Sequence, residues 1–159
     1  MEKVEINKQA RLSEHFTLAE MCKTSAKTAD GNIPSHVHIE NLKRLCGWLE
    51  MLRSEWNKRY GEGDDPIVIN SGYRSEAVNK AVGGVKGSNH LTGCAADIRV
   101  AGIEQLVRYA TILLDISDES QEDFDELLLE RSPRGGYWLH FAVRPSGNRR
   151  KVRLIQSLR

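Results

Sequence analysis

The stretch YWLHFAV, residues 137–143, constrains the fold more than any other part of the chain. A strand alternates its side chains between two faces. Leu139, Phe141 and Val143 then form one apolar face, and Trp138 and His140 share the other. The stretch CAADIRV, residues 94–100, is patterned alike: Ala96, Ile98 and Val100 take one face, and Ala95, Asp97 and Arg99 the opposite one. Strands that each bury a single face require a sheet packed on one side and free to carry polar side chains on the other. On that free side the pattern places Asp97 and His140.

Helical patterns supply the covering layer. TLAE at residues 17–20 fits a capping box, with Thr17 at the N-cap and Glu20 three positions on. Ser35 is expected to cap a long amphipathic helix in which Leu42, Leu45, Leu49, Leu52 and Trp56 recur at spacings of three and four, ending at YGEGDD. PIVIN reads as a short buried strand, SEAVNKAV as a helix started by Ser75, and GGVKGSNH as a glycine-rich loop. A second amphipathic helix follows, with Ile103, Leu106, Ala110, Leu113 and Leu114 on one side. DELLLE and YWLHFAV form two strands joined by RSPRGG, and KVRLI adds a last one. Helices come first and most strands later, which predicts an α+β domain with a mainly antiparallel sheet flanked by helices. A length of 159 residues suits a single domain spanning 1–159.

Composition narrows the function classes. Hydrophobic residues make up 40% and charged residues 28%, and the formal net charge is +1, so global charge selects no polyanionic partner. The basic run RPSGNRRKVR has no aromatic platform beside it and is read as a solvated face, with no nucleic acid expected. Cys22, Cys46 and Cys94 are odd in number and unpaired in spacing, which predicts reduced thiols. The N-terminus MEKVEINKQARL has no apolar core of a secretory signal, and no apolar run approaches the ~20 residues of a membrane span. The expectation is a monomer, cytoplasmic on synthesis and without a membrane anchor, that meets the cell wall only if released or exported.

In SNHLTGCAAD, His90 and Asp97 stand seven positions apart around Gly93 and small residues that let backbone come close to a bound group. Zinc accepts imidazole nitrogens and carboxylate oxygens, and a catalytic zinc has three protein ligands with one open position. His90, Asp97 and His140 meet that count. Spacing alone leaves two readings open: one metal centre, or separate core and surface side chains.

SGYRS, followed by NKAVGGVKGSNHLTGCAADI and then WLHF, resembles the zinc D-alanyl-D-alanine carboxypeptidase family. That family includes phage L-alanyl-D-glutamate endopeptidases and vancomycin-resistance D,D-dipeptidases. Its signature, Ser-x-His-x-x-Gly-x-Ala-x-Asp, is filled by Ser88, His90, Gly93, Ala95 and Asp97, and the downstream Trp-x-His by Trp138 and His140. LSEHFTLAEM also resembles the start of the small, often phage-borne branch. The resemblance implies the family's compact α+β fold (hedgehog/D-Ala-D-Ala peptidase-like). It implies one zinc per chain on His90, Asp97 and His140, with Arg74 beside the metal as a catalytic and substrate-binding residue. Ser88 is read as placed to hydrogen-bond substrate or orient a ligand, and Trp138 and Tyr137 as exposed beside the metal and shaping the substrate cleft. Many relatives carry an acid three residues before the last histidine, where this chain has Tyr137.

A peptidase of this kind needs a carboxylate to move the proton. If the two late strands pair across RSPRGGY, Glu130 opposes Trp138 and lies diagonal to His140 on the same face. Glu130 is therefore the expected base; Glu126, farther along the strand, is less suited. His15, His36 and His38 lie outside the signature and are read as non-ligands. The implied activity is hydrolysis of peptide bonds in peptidoglycan stem peptides, as a D,D-carboxypeptidase or an L-Ala-D-Glu-type endopeptidase, with a phage or prophage lysin among the forms it takes. The rival reading is a catalytically inactive, zinc-containing peptidoglycan-binding module.

Overall fold

The computed structural model describes Asn7 and residues 9–158. Residues 1–6, part of the segment read as lacking a secretory signal, lie outside the described residues. The chain forms helix α1 (Leu18–Met21), helix α2 (His36–Arg59), strand β1 (Ile69–Ser71), helix α3 (Glu76–Ala81), strand β2 (Ala95–Arg99), helix α4 (Ile103–Ser120) and strands β3 (Glu126–Arg131), β4 (Tyr137–Ala142) and β5 (Lys151–Gln156). A single 3-10 turn, Asn89–Thr92, precedes β2.

The helix starts follow their caps. Thr17 Oγ1 accepts the Glu20 backbone N–H at 3.2 Å. Ser35 Oγ accepts from the His38 N–H at 3.3 Å, and His38 Nδ1 accepts from the Ser35 N–H at 3.1 Å, a capping box closed by histidine. All five residues of the expected α2 stripe are buried. In α4 the inward face is Leu106, Tyr109, Ala110, Ile112, Leu113 and Ile116. Ile103, expected on that face, is 58% exposed at the first helical position.

The sheet has the order β1-β2-β4-β3-β5. Its first three pairings are antiparallel, and β5 runs parallel to β3. The parallel edge has a simple geometric cause. β4 finishes with Ala142 beside Glu126, the first residue of β3. Residues 143–150 cross that same end of the sheet, so β5 starts with Lys151 beside Glu126 and must run with β3. The strand expected over PIVIN is shifted to Ile69–Ser71. Pro66 has no N–H for a ladder, and before β1 the backbone contact with β2 is Arg99 N–H donating to Val68 O at 2.9 Å.

One apolar cluster lies between the helices and one sheet face, and it contains Ala96, Ile98, Leu127, Leu139 and Phe141. Trp48 of α2 packs on Phe141 with ring centroids 5.4 Å apart. The other face of β2, β3 and β4 walls a cleft of about 640 Å³. Asp97, Glu126, Leu128, Glu130, Trp138 and His140 line it, together with residues of β5 and of the loop before β2. The single-faced design read from the two strands is thus what places the cleft.

Candidate metal centre

His90 enters the cleft on the 3-10 turn. Ser88 caps this turn, its Oγ accepting the His90 backbone N–H at 3.2 Å. Gly93 ends the turn at φ +75°, and a Cβ there would lie 2.6 Å from the His38 carbonyl oxygen. Only glycine fits both the left-handed backbone and the approach to α2. The next residues enter β2 and bring Asp97 into register with His140 of β4.

The tautomer of His90 is set by the backbone. Its Nδ1 lies 2.7 Å from the Gly72 carbonyl oxygen, which can only accept, so Nδ1 carries the proton and Nε2 offers its lone pair. Gly72 is pressed against the Met21 carbonyl, where a Cβ would overlap. His90 Nε2 is buried and has no hydrogen-bond partner among the described residues. Burial disfavours the charged imidazole and lowers the His90 pKa, leaving a neutral ring suited to metal ligation.

The remaining ligand atoms converge on this nitrogen. Asp97 Oδ1 lies 3.3 Å from His90 Nε2 and 3.1 Å from His140 Nδ1. One ligand atom from each of the three residues falls within 4.8 Å of the others. Tetrahedral zinc with bonds of ~2.0–2.1 Å needs ligand atoms about 3.3 Å apart. The donor set, its spacing and the orphaned buried nitrogen all fit a zinc ion. Burial alone would raise the Asp97 pKa, but the two histidines hold its carboxyl well below the usual carboxylate range. Burial alone would lower the His140 pKa, but hydrogen bonds to Asp97 and Glu126 push it up to about 9.

Arg74 reaches the centre from the turn after β1. Its Nη2 donates to Asp97 Oδ2 at 3.1 Å, Nε to Ser71 Oγ at 3.0 Å and Nη1 to Asn79 Oδ1 at 3.1 Å. Asp97 therefore turns one oxygen to the histidines and the other to Arg74. Ser88 and Trp138 both line the cleft, Trp138 half-buried and paired with Glu130 across the hairpin. The expected register of Glu130 opposite Trp138 is the one observed.

Two features differ from the expectation. Tyr137 lies on the core-facing side of β4 with Leu139, packs against the apolar cluster and carries Arg131 over its ring at 6.0 Å. Three steps back along a strand reverse the face, so the residue at this position points away from His140. Glu126 is not remote: it opposes Ala142, which makes it the second diagonal neighbour of His140. Its Oε1 lies 3.1 Å from His140 Nε2 and accepts from Asn89 Nδ2 at 2.6 Å. Burial alone would raise the Glu126 pKa, but His140 and Asn89 hold it at about 2.

Sequence reasoning missed Asn79, Asn89 and the buried Asp125. Asn89 directly precedes His90 in the signature, which was the available signal. For Asn79 and Asp125 only the three-dimensional contacts identify them. Part of the basic run folds back: Arg149 pairs with Asp125, and Arg150 with Asp118. His15 pairs with Glu50, and His38 stacks on Tyr73. Neither belongs to the centre. Cys94 is buried, and it lies outside the cluster of ligand atoms formed by His90, Asp97 and His140.

Two comparisons place the chain among known proteins. The family model described as Peptidase M15 matches residues 14–116, which is 103 of the 159 residues and includes His90 and Asp97. A zinc D-Ala-D-Ala carboxypeptidase of Streptomyces albus G is 31% identical over 84 residues. That alignment covers 53% of this chain and 31% of the relative, so the chain matches under a third of the relative's length. With the model spanning most of the chain and the metal-type cluster lying on the sheet's open face, the chain belongs to the peptidase M15 family.

Proposed function

We propose that this chain is a zinc-dependent peptidase that hydrolyses peptide bonds in peptidoglycan stem peptides, with one zinc held by His90, Asp97 and His140. The observation that carries the proposal is the convergence of three ligand atoms around the orphaned His90 Nε2 inside an open cleft. The substrate class is supported by the relative named as a zinc D-Ala-D-Ala carboxypeptidase. When bound there, zinc supplies Lewis-acid polarisation of the scissile carbonyl and lowers the pKa of a coordinated water.

The protein groups have separate tasks. Arg74, held by Ser71, Asn79 and Asp97, presents a fixed cation to a substrate carboxylate or carbonyl oxygen at the cleft wall. Ser88 orients the His90 backbone and, with Trp138, shapes the substrate channel. Glu130 takes a proton from the attacking water and returns it to the leaving amine. It shares the sheet face of His140 and lies diagonal to it across the hairpin, while the Glu126 carboxylate is held by His140 and Asn89. The rival reading of an inactive binding module drew on the missing acid at Tyr137. Tyr137 packs against the core and supplies no acid to the cleft, so hydrolysis by the zinc-loaded protein, with Glu130 as its base, is what separates the two readings.

No helix of the described residues is long and apolar enough to cross a membrane. The resemblance of the LSEHFTLAEM start to the small, often phage-borne branch supports a phage or prophage lysin as one form of this activity, beside an exported bacterial enzyme. Mass spectrometry of purified stem peptides after incubation tests the activity. Loss of a terminal D-alanine marks a carboxypeptidase, and a cut between L-alanine and D-glutamate marks an endopeptidase. Chelation should stop either reaction and zinc should restore it. Intact peptides after incubation with zinc-loaded protein would refute the proposal.

A further inference from the structure

The two nitrogens of His140 meet two different carboxylates. Nδ1 lies 3.1 Å from Asp97 Oδ1, on the side where the ligand atoms converge, and Nε2 lies 3.1 Å from Glu126 Oε1. Glu126 is itself held from behind. The amide of Asn89 has one workable orientation, because its Oδ1 accepts from Arg144 Nε at 2.9 Å. Its Nδ2 must then face the carboxylates, donating to Glu126 Oε1 at 2.6 Å and to Asp125 Oδ2 at 2.8 Å. Asp125 has no exposed surface and is locked by Arg149, whose Nε and Nη2 donate to its two oxygens at 3.0 and 2.8 Å. A continuous chain of polar contacts thus runs from the loop before β5, through Asp125 and Asn89, to Glu126 and the ring of His140.

We propose that Glu126 is the positioning residue of His140: by accepting the Nε2–H it leaves Nδ1 unprotonated toward the metal and fixes the plane of the ring, while Asn89 and the Arg149–Asp125 pair hold Glu126 in place. The proposal rests on the reading that His90, Asp97 and His140 hold zinc. It gives the centre two differently set histidines: His90 ligates through Nε2 because Gly72 O takes its Nδ1–H, and His140 ligates through Nδ1 because Glu126 takes its Nε2–H. Partners of this kind raise ligand basicity and restrict ring rotation, and their loss costs ~10–100-fold in metal affinity.

Zinc affinity of the purified chain, measured by competition with a chromophoric chelator, is the test. Long-range ¹H–¹⁵N NMR of the zinc-loaded protein reads the ring tautomers directly. The parent should bind zinc with His140 Nε2 protonated and Nδ1 on the metal. In Glu126→Gln the side-chain oxygen still accepts from His140, since Asn89 Nδ2 faces that atom as a donor, and affinity should stay close to the parent's. Glu126→Leu should lose ~10–100-fold in affinity, with the same cooperative unfolding of the metal-free chain. A parent that binds no zinc defeats the metal-centre reading itself. A parent that binds zinc through His140 Nε2, or a Glu126→Leu protein that binds as tightly as the parent, overturns the positioning role alone. So would equal losses in Gln and Leu variants, which would assign the effect to charge. Should Glu126→Leu fail to fold, the His140 tautomer in the parent decides.

Discussion

Replacing Asp125 by Asn should destabilise the protein by about 2–3 kcal/mol at neutral pH, and the deficit should disappear in acid. Asp125 is fully buried, and it accepts from the Arg149 guanidinium, from the Arg149 backbone N–H at 3.1 Å and from Asn89, with Arg144 Nε 3.2 Å away. Burial alone would raise its pKa, but these donors hold it at about 2 against an ordinary 3.8. At about 1.4 kcal/mol per tenfold change in proton affinity, the ionised form is favoured in the fold by on the order of 2 kcal/mol. Asn keeps the shape but turns one acceptor into a donor facing Arg149. Losing one partner of a buried ion pair costs up to ~3–5 kcal/mol; Arg149 is half-exposed and can reach water, which keeps the loss near the lower figure. The folded-state pKa is depressed, so the stabilisation is complete above 3.8 and is lost as pH falls toward about 2. Urea unfolding of parent and variant, followed by tryptophan fluorescence from neutral pH down to about pH 2, should give curves that converge over that window. A deficit that stays constant through the window, or is absent at neutral pH, would refute this account of Asp125.

Metal analysis should find zinc absent from His90→Ala and His140→Ala but retained by Cys94→Ala, whose thiol lies 4.0 Å from the Thr92 carbonyl oxygen and outside the ligand set. Glu130→Gln should keep the fold and the zinc and lose ~10²–10⁴-fold in kcat on stem peptides. Tyr137→Phe should leave kcat close to the parent value, because that side chain faces the core, and a severe loss there would move the proton shuttle to the wrong face. Gly93→Ala should cost at least ~1–2 kcal/mol for the left-handed backbone, more if the His38 carbonyl cannot yield to the new Cβ. A lowered Tm in thermal unfolding, before any metal is added, checks it.

Much of the architecture follows from local alternation. The polar faces of β2 and β4, the stripe of α2 and its Ser35 cap all depend on the period of a strand or a helix, and residues close in sequence carry that period. The register that sets Glu130 opposite Trp138 followed from a short hairpin connection, another local constraint. Tyr137 shows the same rule from the other side. Its parity was readable from YWLHFAV, and counting faces assigns it to the core without any structure.

The residues 94–100 and 137–143 by themselves determined that an aspartate and a histidine would stand on the open face of a one-sided sheet. Only the tertiary structure decided which atoms meet. The Gly72 carbonyl that orients His90 is 18 positions away, Glu126 is 14 from His140, and Asn89 is 36 from Asp125. The parallel placement of β5, which brings Arg149 to Asp125, depended on where β4 ends in space. Backbone periodicity is a property of neighbouring residues, so it can be read along the chain. Ring tautomers, amide orientations and ion-pair partners depend on distances of about 3 Å between distant segments, and those distances exist only once the helices and the sheet have packed.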